Sequence, residues 1–94
     1  MPNLQGKVAV ITGGASGMGA GAARVFVRDG AKVVLGDLNA ELLDAMCEEL
    51  GRDKAIGVVG NIANEADATA LIEAAVSAHG KLDILFNNAG IGGL

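Results

Sequence analysis

The feature that most limits how this chain can fold is the junction at Ile11, where the apolar run KVAVIT (Lys7 to Thr12) passes straight into ITGGASGMGAG. Five glycines fall within those eleven residues, Ile11 to Gly21. A run apolar on every side suits a strand covered on both faces, as in a parallel sheet. Behind the glycines, Met18, Ala22, Val25 and Phe26 recur at helical spacing until Asp29 and Gly30. The glycines therefore occupy a strand-to-helix turn. There a tight turn, close approach of a ligand and close helix-strand packing each favour a residue without Cβ.

The same alternation runs on to the end. KVVLGD (Lys32 to Asp37) reads as a second strand, Ala55 to Val59 as a third and LDILFN (Leu82 to Asn87) as a fourth. Asn39 is placed to cap a helix with an apolar face of Leu42, Leu43, Met46 and Leu50, Glu41 in its first turn and Gly51 past its end. Asn64 is placed to cap another, with Glu65 and Asp67 at its positive end and Ala68, Leu71, Ile72, Ala75, Val76 and His79 on one face up to Gly80. No linker and no repeat interrupts the order β-α-β-α-β-α-β. This predicts an α/β fold: a doubly wound parallel sheet, here a partial one of about four strands in the order 3-2-1-4 with three helices. Right-handed crossovers put the first two helices on one face and the third on the other. Residues 1–94 make a single unit.

Composition narrows the function classes. A chain that is 51% apolar with few aromatics is globular, and a formal net charge of -4 with no basic cluster argues against nucleic acid. The single Cys47 can form no internal disulfide, the N-terminus shows no secretory leader, and no apolar run nears the ~20 residues of a membrane span. A cytoplasmic protein is expected.

Backbone N–H groups at a helix start point at a phosphate, and the helix dipole favours its charge. No Gly-Lys-Ser/Thr follows the glycines, which excludes a phosphate-binding NTPase loop. Asp37, 18 residues beyond Gly19, lies at the end of the second strand. That is close to the offset of an acid that accepts from the adenosine ribose hydroxyls. Its carboxylate would repel a 2′-phosphate, and its neighbours Gly36 and Leu38 bring no compensating cation. These residues point to NAD rather than NADP. The blander alternative is an Asp that only caps or turns the strand-to-helix loop.

TGGASGMG (Thr12 to Gly19) resembles the TGxxxGxG motif of the short-chain dehydrogenase/reductase family, and NNAG (Asn87 to Gly90) resembles that family's second signature. The opening LQGKVAVITGG also resembles the start of a family member, so a natural N-terminus is expected. The resemblance implies a Rossmann-type fold and assigns cofactor roles by position. Thr12 braces the turn against the fourth strand, while Gly13, Ser16, Gly17, Met18 and Gly19 surround the pyrophosphate and adenosine. Asp37 holds the ribose. Asn61 and Ile62 stand beside the adenine, Asn61 where the family commonly has Asp. Asn88, Ala89 and Gly90 lie along the cofactor, and Asn87 fixes the sheet. The Met18 side chain is expected to pack.

The family's chemistry implies hydride transfer between nicotinamide and a secondary alcohol or ketone, of the hydroxysteroid or general alcohol class, assisted by Ser, Tyr and Lys. This chain has no tyrosine, and its serines are Ser16 and Ser77 alone. The expected reading is a cofactor-binding fragment, inactive by itself, with the catalytic half and the small-molecule substrate site in a longer parent. A fourth strand left as an open edge predicts a homo-oligomer. A non-catalytic dinucleotide-binding or regulatory module is the alternative, and an S-adenosylmethionine-dependent methyltransferase a third reading that NNAG opposes. His79 reads as a helix-end residue whose positive charge suits the dipole, Cys47 as a buried small hydrophobe, and Asp44, Glu48 and Glu49 as a solvated face.

Overall fold

The computed structural model describes residues 3–15, 17–60 and 65–87. Within them the elements alternate as β1 Val8–Thr12, α1 Gly17–Arg28, β2 Lys32–Asp37, α2 Ala40–Leu50, β3 Ala55–Val59, α3 Glu65–His79 and β4 Ile84–Asn87. All pairings are parallel, and the strand order is β3-β2-β1-β4, as the sequence predicts. The ladder of β4 begins later than expected because Asp83 fastens its entrance. Its N–H donates to the Val8 carbonyl at 2.9 Å, and its carboxylate accepts from the Val8 N–H at 2.9 Å. That bond, together with one to Lys81, holds the Asp83 carboxyl below its ordinary value.

The two central strands are buried throughout their middles, whereas the outer strands alternate between partly buried and exposed residues, with Ala55 alone fully buried among them. One face carries Ala9, Ile11, Val33, Leu35 and Ala55 against α1 and α2; the other carries Val8, Val10 and Val34 against Leu71 and Ala75 of α3. The predicted division of helices between the faces is therefore observed. Fully burying side chains such as Ile11 and Leu35 stabilises the fold by about 1.5–3 kcal/mol each.

The apolar faces need correction. In α1 the residues turned to the sheet are Gly19, Ala20 and Ala23, whereas Met18 and Val25 are exposed. Small residues let the helix lie close on the sheet, and Ala22, Phe26 and Val27 flank the contact. Phe26 meets Phe86 of β4 edge to face, with ring centroids 6.2 Å apart. In α2, Cys47 joins Leu43 and Met46 in the core, and Leu42 is exposed. In α3, Ile72 and Val76 flank the buried Leu71 and Ala75 but stay partly in solvent, because among the described residues no other helix lies on that face to cover them.

The caps of α2 are as expected. Asn39 Oδ1 accepts from the Leu42 N–H at 3.0 Å, and Gly51, at φ +99°, closes the other end with its N–H on the Cys47 carbonyl.

Candidate functional site

The strand order changes direction at β1: later strands run outward to β3 on one side, and then β4 takes the other. In such sheets ligands bind in the crevice beyond the carboxyl ends of the strands at this switch. The register sets Asn87, Thr12 and Gly36 in one row there, with Asp37 opposite Val59 at the end of β3.

Thr12 is nearly fully buried and ties β1 to β4: its hydroxyl donates to Asn87 Oδ1 at 2.9 Å and lies 3.5 Å from the Phe86 carbonyl oxygen. The chain then turns through Gly13 at φ +65° and enters α1 through Gly17 at φ +58°, conformations that residues with a Cβ adopt only at a cost. Gly14 is bare for a different reason. A Cβ there would lie 2.9 Å from Leu35 Cβ and 3.2 Å from the Ile11 carbonyl oxygen. Its N–H donates to the Gly36 carbonyl at 3.1 Å.

Asp37 sits beside this loop, and both carboxylate oxygens are engaged. Oδ2 accepts from the Ala15 N–H at 3.1 Å and Oδ1 from the Asn39 N–H at 3.1 Å. Each ionised carboxylate oxygen has two acceptor positions, so both retain capacity for a further donor. Leu38, next in sequence, is 70% exposed. The first turn of α1 contains no acidic residue to oppose an anion, and its leading N–H groups have no acceptor within the helix.

Met18 departs from expectation: its side chain is 63% exposed and does not pack. Thr12, Gly13, Gly17, Gly19 and Asp37 converge on the same end of the sheet. Ser16, Asn61, Ile62, Asn88, Ala89 and Gly90, together with the proposed cap Asn64, lie outside the described residues. Reasoning from spacing missed Gly14 and Ala15. Spacing cannot tell which glycine of a pair faces a side chain, nor which loop N–H a carboxylate takes.

Elsewhere, Asp44 and Glu48 share Arg52, and Glu49 pairs with Arg24 across α1 and α2, all at the surface. Cys47 is buried, and its desolvation pushes the thiol up. His79 is corrected. Burial and nearby Lys32 lower its value against the opposing hydrogen bond at Val33, which favours the neutral ring rather than a dipole-compensating cation. Among the described residues no cluster of His, Cys, Asp and Glu could hold a metal, and no helix is long and apolar enough to cross a membrane.

A sequence profile described as short chain dehydrogenase matches residues 7–94. The chain belongs to the short-chain dehydrogenase family. Momilactone A synthase of Oryza sativa subsp. japonica is 52% identical over 90 residues, which are 96% of this chain and 33% of that protein. The mitochondrial borneol dehydrogenase of Lavandula x intermedia is 50% identical over 90 residues, 96% of this chain and 34% of its own length. Among solved structures, glucose dehydrogenase of Caenorhabditis elegans in the apo form superposes with a TM-score of 0.87 at 32% identity, over 93% of this chain and 39% of that one. A short chain dehydrogenase from Bacillus anthracis gives a TM-score of 0.84 at 35% identity, over 93% and 36%. This short-chain dehydrogenase chain thus spans about a third of the length of the curated relatives it matches.

Proposed function

We propose that these residues are the NAD-binding part of an oxidoreductase that moves a hydride between nicotinamide and a secondary alcohol or ketone. The observation that carries the cofactor choice is Asp37, a carboxylate with spare acceptor capacity beside the glycine loop and next to the uncharged Leu38. The site fits a dinucleotide in three respects. The loop backbone at Gly13 and Gly17 is bare, the start of α1 is free of acid, and Asp37 matches ribose hydroxyls while repelling a 2′-phosphate. In this reading Gly13, Gly17, Met18 and Gly19 face the pyrophosphate with their backbone, together with Ser16. Asn61 and Ile62 serve the adenine, Asn88 to Gly90 the nicotinamide side, and Thr12 and Asn87 hold the loop between the strands.

When bound, NAD supplies the hydride acceptor. The proton relay belongs to residues beyond this chain, which holds no tyrosine; by itself the chain is inactive. Likeness to a borneol and a glucose dehydrogenase supports an alcohol-type substrate. We place the protein in the cytoplasm and, given a β4 that is paired on one side only among the described residues, in a homo-oligomer.

Titration of the chain with NAD and NADP tests the cofactor choice, with tighter binding of NAD expected. Replacing Asp37 by Ser and Leu38 by Arg should reverse the order by roughly 10-fold or more, the worth of a hydrogen bond to a charged group. An unchanged affinity ratio sinks the assignment.

A further inference from the structure

The geometry points to Asp37 as a clasp that holds the glycine loop in its binding shape, in addition to the ribose contact of the proposed NAD reading on which this inference rests. Gly13, Gly14 and Gly17 make the segment between β1 and α1 intrinsically loose, because glycine has the widest choice of backbone conformations. A loop of that kind binds well only if something outside it removes the freedom beforehand. Two consecutive loop amides are taken up by the end of β2: Gly14 donates to the Gly36 carbonyl and Ala15 to Asp37 Oδ2, both at 3.1 Å. The Leu35 side chain closes against Gly14 on the same side. The Ala15 N–H is turned to β2 and is not among the amides offered to an anion. The second oxygen of Asp37 accepts from Asn39 just before α2, so the carboxylate is itself held from both sides.

The consequence is that the residue selecting the ribose also shapes the phosphate site, and the two roles can be separated. ADP and 2′,3′-dideoxy-ADP share adenine and pyrophosphate, but only ADP offers ribose hydroxyls to a carboxylate. If Asp37 acts on the ribose alone, Asp37→Ala leaves dideoxy-ADP affinity unchanged, or raises it by removing a negative charge near the phosphates. A clasp predicts the opposite: Asp37→Ala weakens dideoxy-ADP binding, and the Ala15 amide of the free protein exchanges roughly 10- to 100-fold faster, the range expected for losing a bond to a charged acceptor. Asp37→Asn, with one carbonyl oxygen for two donors, should fall between.

The measurements are calorimetric titration and residue-resolved hydrogen exchange on the 94-residue chain, with the Val10 and Val34 amides as the control that each variant retains its sheet. Unchanged exchange at Ala15 in Asp37→Ala, with the sheet amides still protected, overturns the clasp. So does an undiminished dideoxy-ADP affinity. If the unsubstituted chain binds ADP and dideoxy-ADP equally, the ribose reading fails while the exchange result still decides the clasp.

Discussion

Gly14 and Gly21 stand seven positions apart in one glycine-rich stretch and are bare for unrelated reasons. A Cβ on Gly14 would press on Leu35 Cβ at 2.9 Å inside a buried contact, whereas at Gly21 nothing lies within 4 Å. Gly14→Ala should therefore destabilise the fold by about 1–3 kcal/mol, the usual result of overpacking. Gly21→Ala, within α1, should stabilise it by about 0.5–1 kcal/mol through the entropy of the unfolded chain. Denaturant unfolding of the two variants checks both signs, and equal effects would refute the distinction. At this scale the sequence was partly legible. Thr12, Asp37 and the loop glycines could be singled out by position. The use of the Ala15 N–H, and the contact that keeps Gly14 small, depend on how β2 lies beside the loop, which no local pattern encodes.

The elements themselves could be read almost residue by residue, since hydrophobic runs and caps are local signals; β2, β3 and the Asn39 cap fall where the pattern puts them. Helix faces were less legible. In α1 the larger apolar residues suggested a face through Met18 and Val25, but close contact with the sheet selects Gly19, Ala20 and Ala23. At the far end of α3, the buried His79 Nε2 has no hydrogen-bond partner among the described residues, and burial holds the ring below its ordinary value of 6.5. The unfolded chain then takes up this proton at a higher pH than the folded one. Stability should decline as pH falls below about 6.5 and level off once the folded form also protonates. Chemical unfolding across that range should give a smaller dependence in His79→Gln; an equal dependence would assign the effect elsewhere.

For the molecule as a whole, the sheet order followed from the doubly wound pattern that the alternating elements and the glycine turn suggested, and the division of helices from right-handed crossovers within that order. What those rules do not state is how unevenly the two faces are covered. Among the described residues two helices lie over one face and one over the other; on the α3 side Val76 reaches solvent, as do Leu85 and Ile72, which line a groove of about 110 Å³ with Val10, Thr12 and Leu71. Among the described residues β4 is paired on one side only, and that edge beside the apolar surface should drive self-association of the 94-residue chain. Light scattering should report assemblies for the unsubstituted chain and a lower mass for Leu85→Lys with its circular dichroism unchanged. A monomer at high concentration would exclude this. The same topology has a consequence in time. The Val8 and Thr12 ends of β1 are bonded to residues 75 positions later, so during synthesis this strand waits half-paired until nearly the last residue described has been made. Contacts of such long separation form slowly. Until then a nascent chain carries the strand that the fold buries most fully with one side open, which makes the interval before β4 emerges the one in which a chaperone has most to protect.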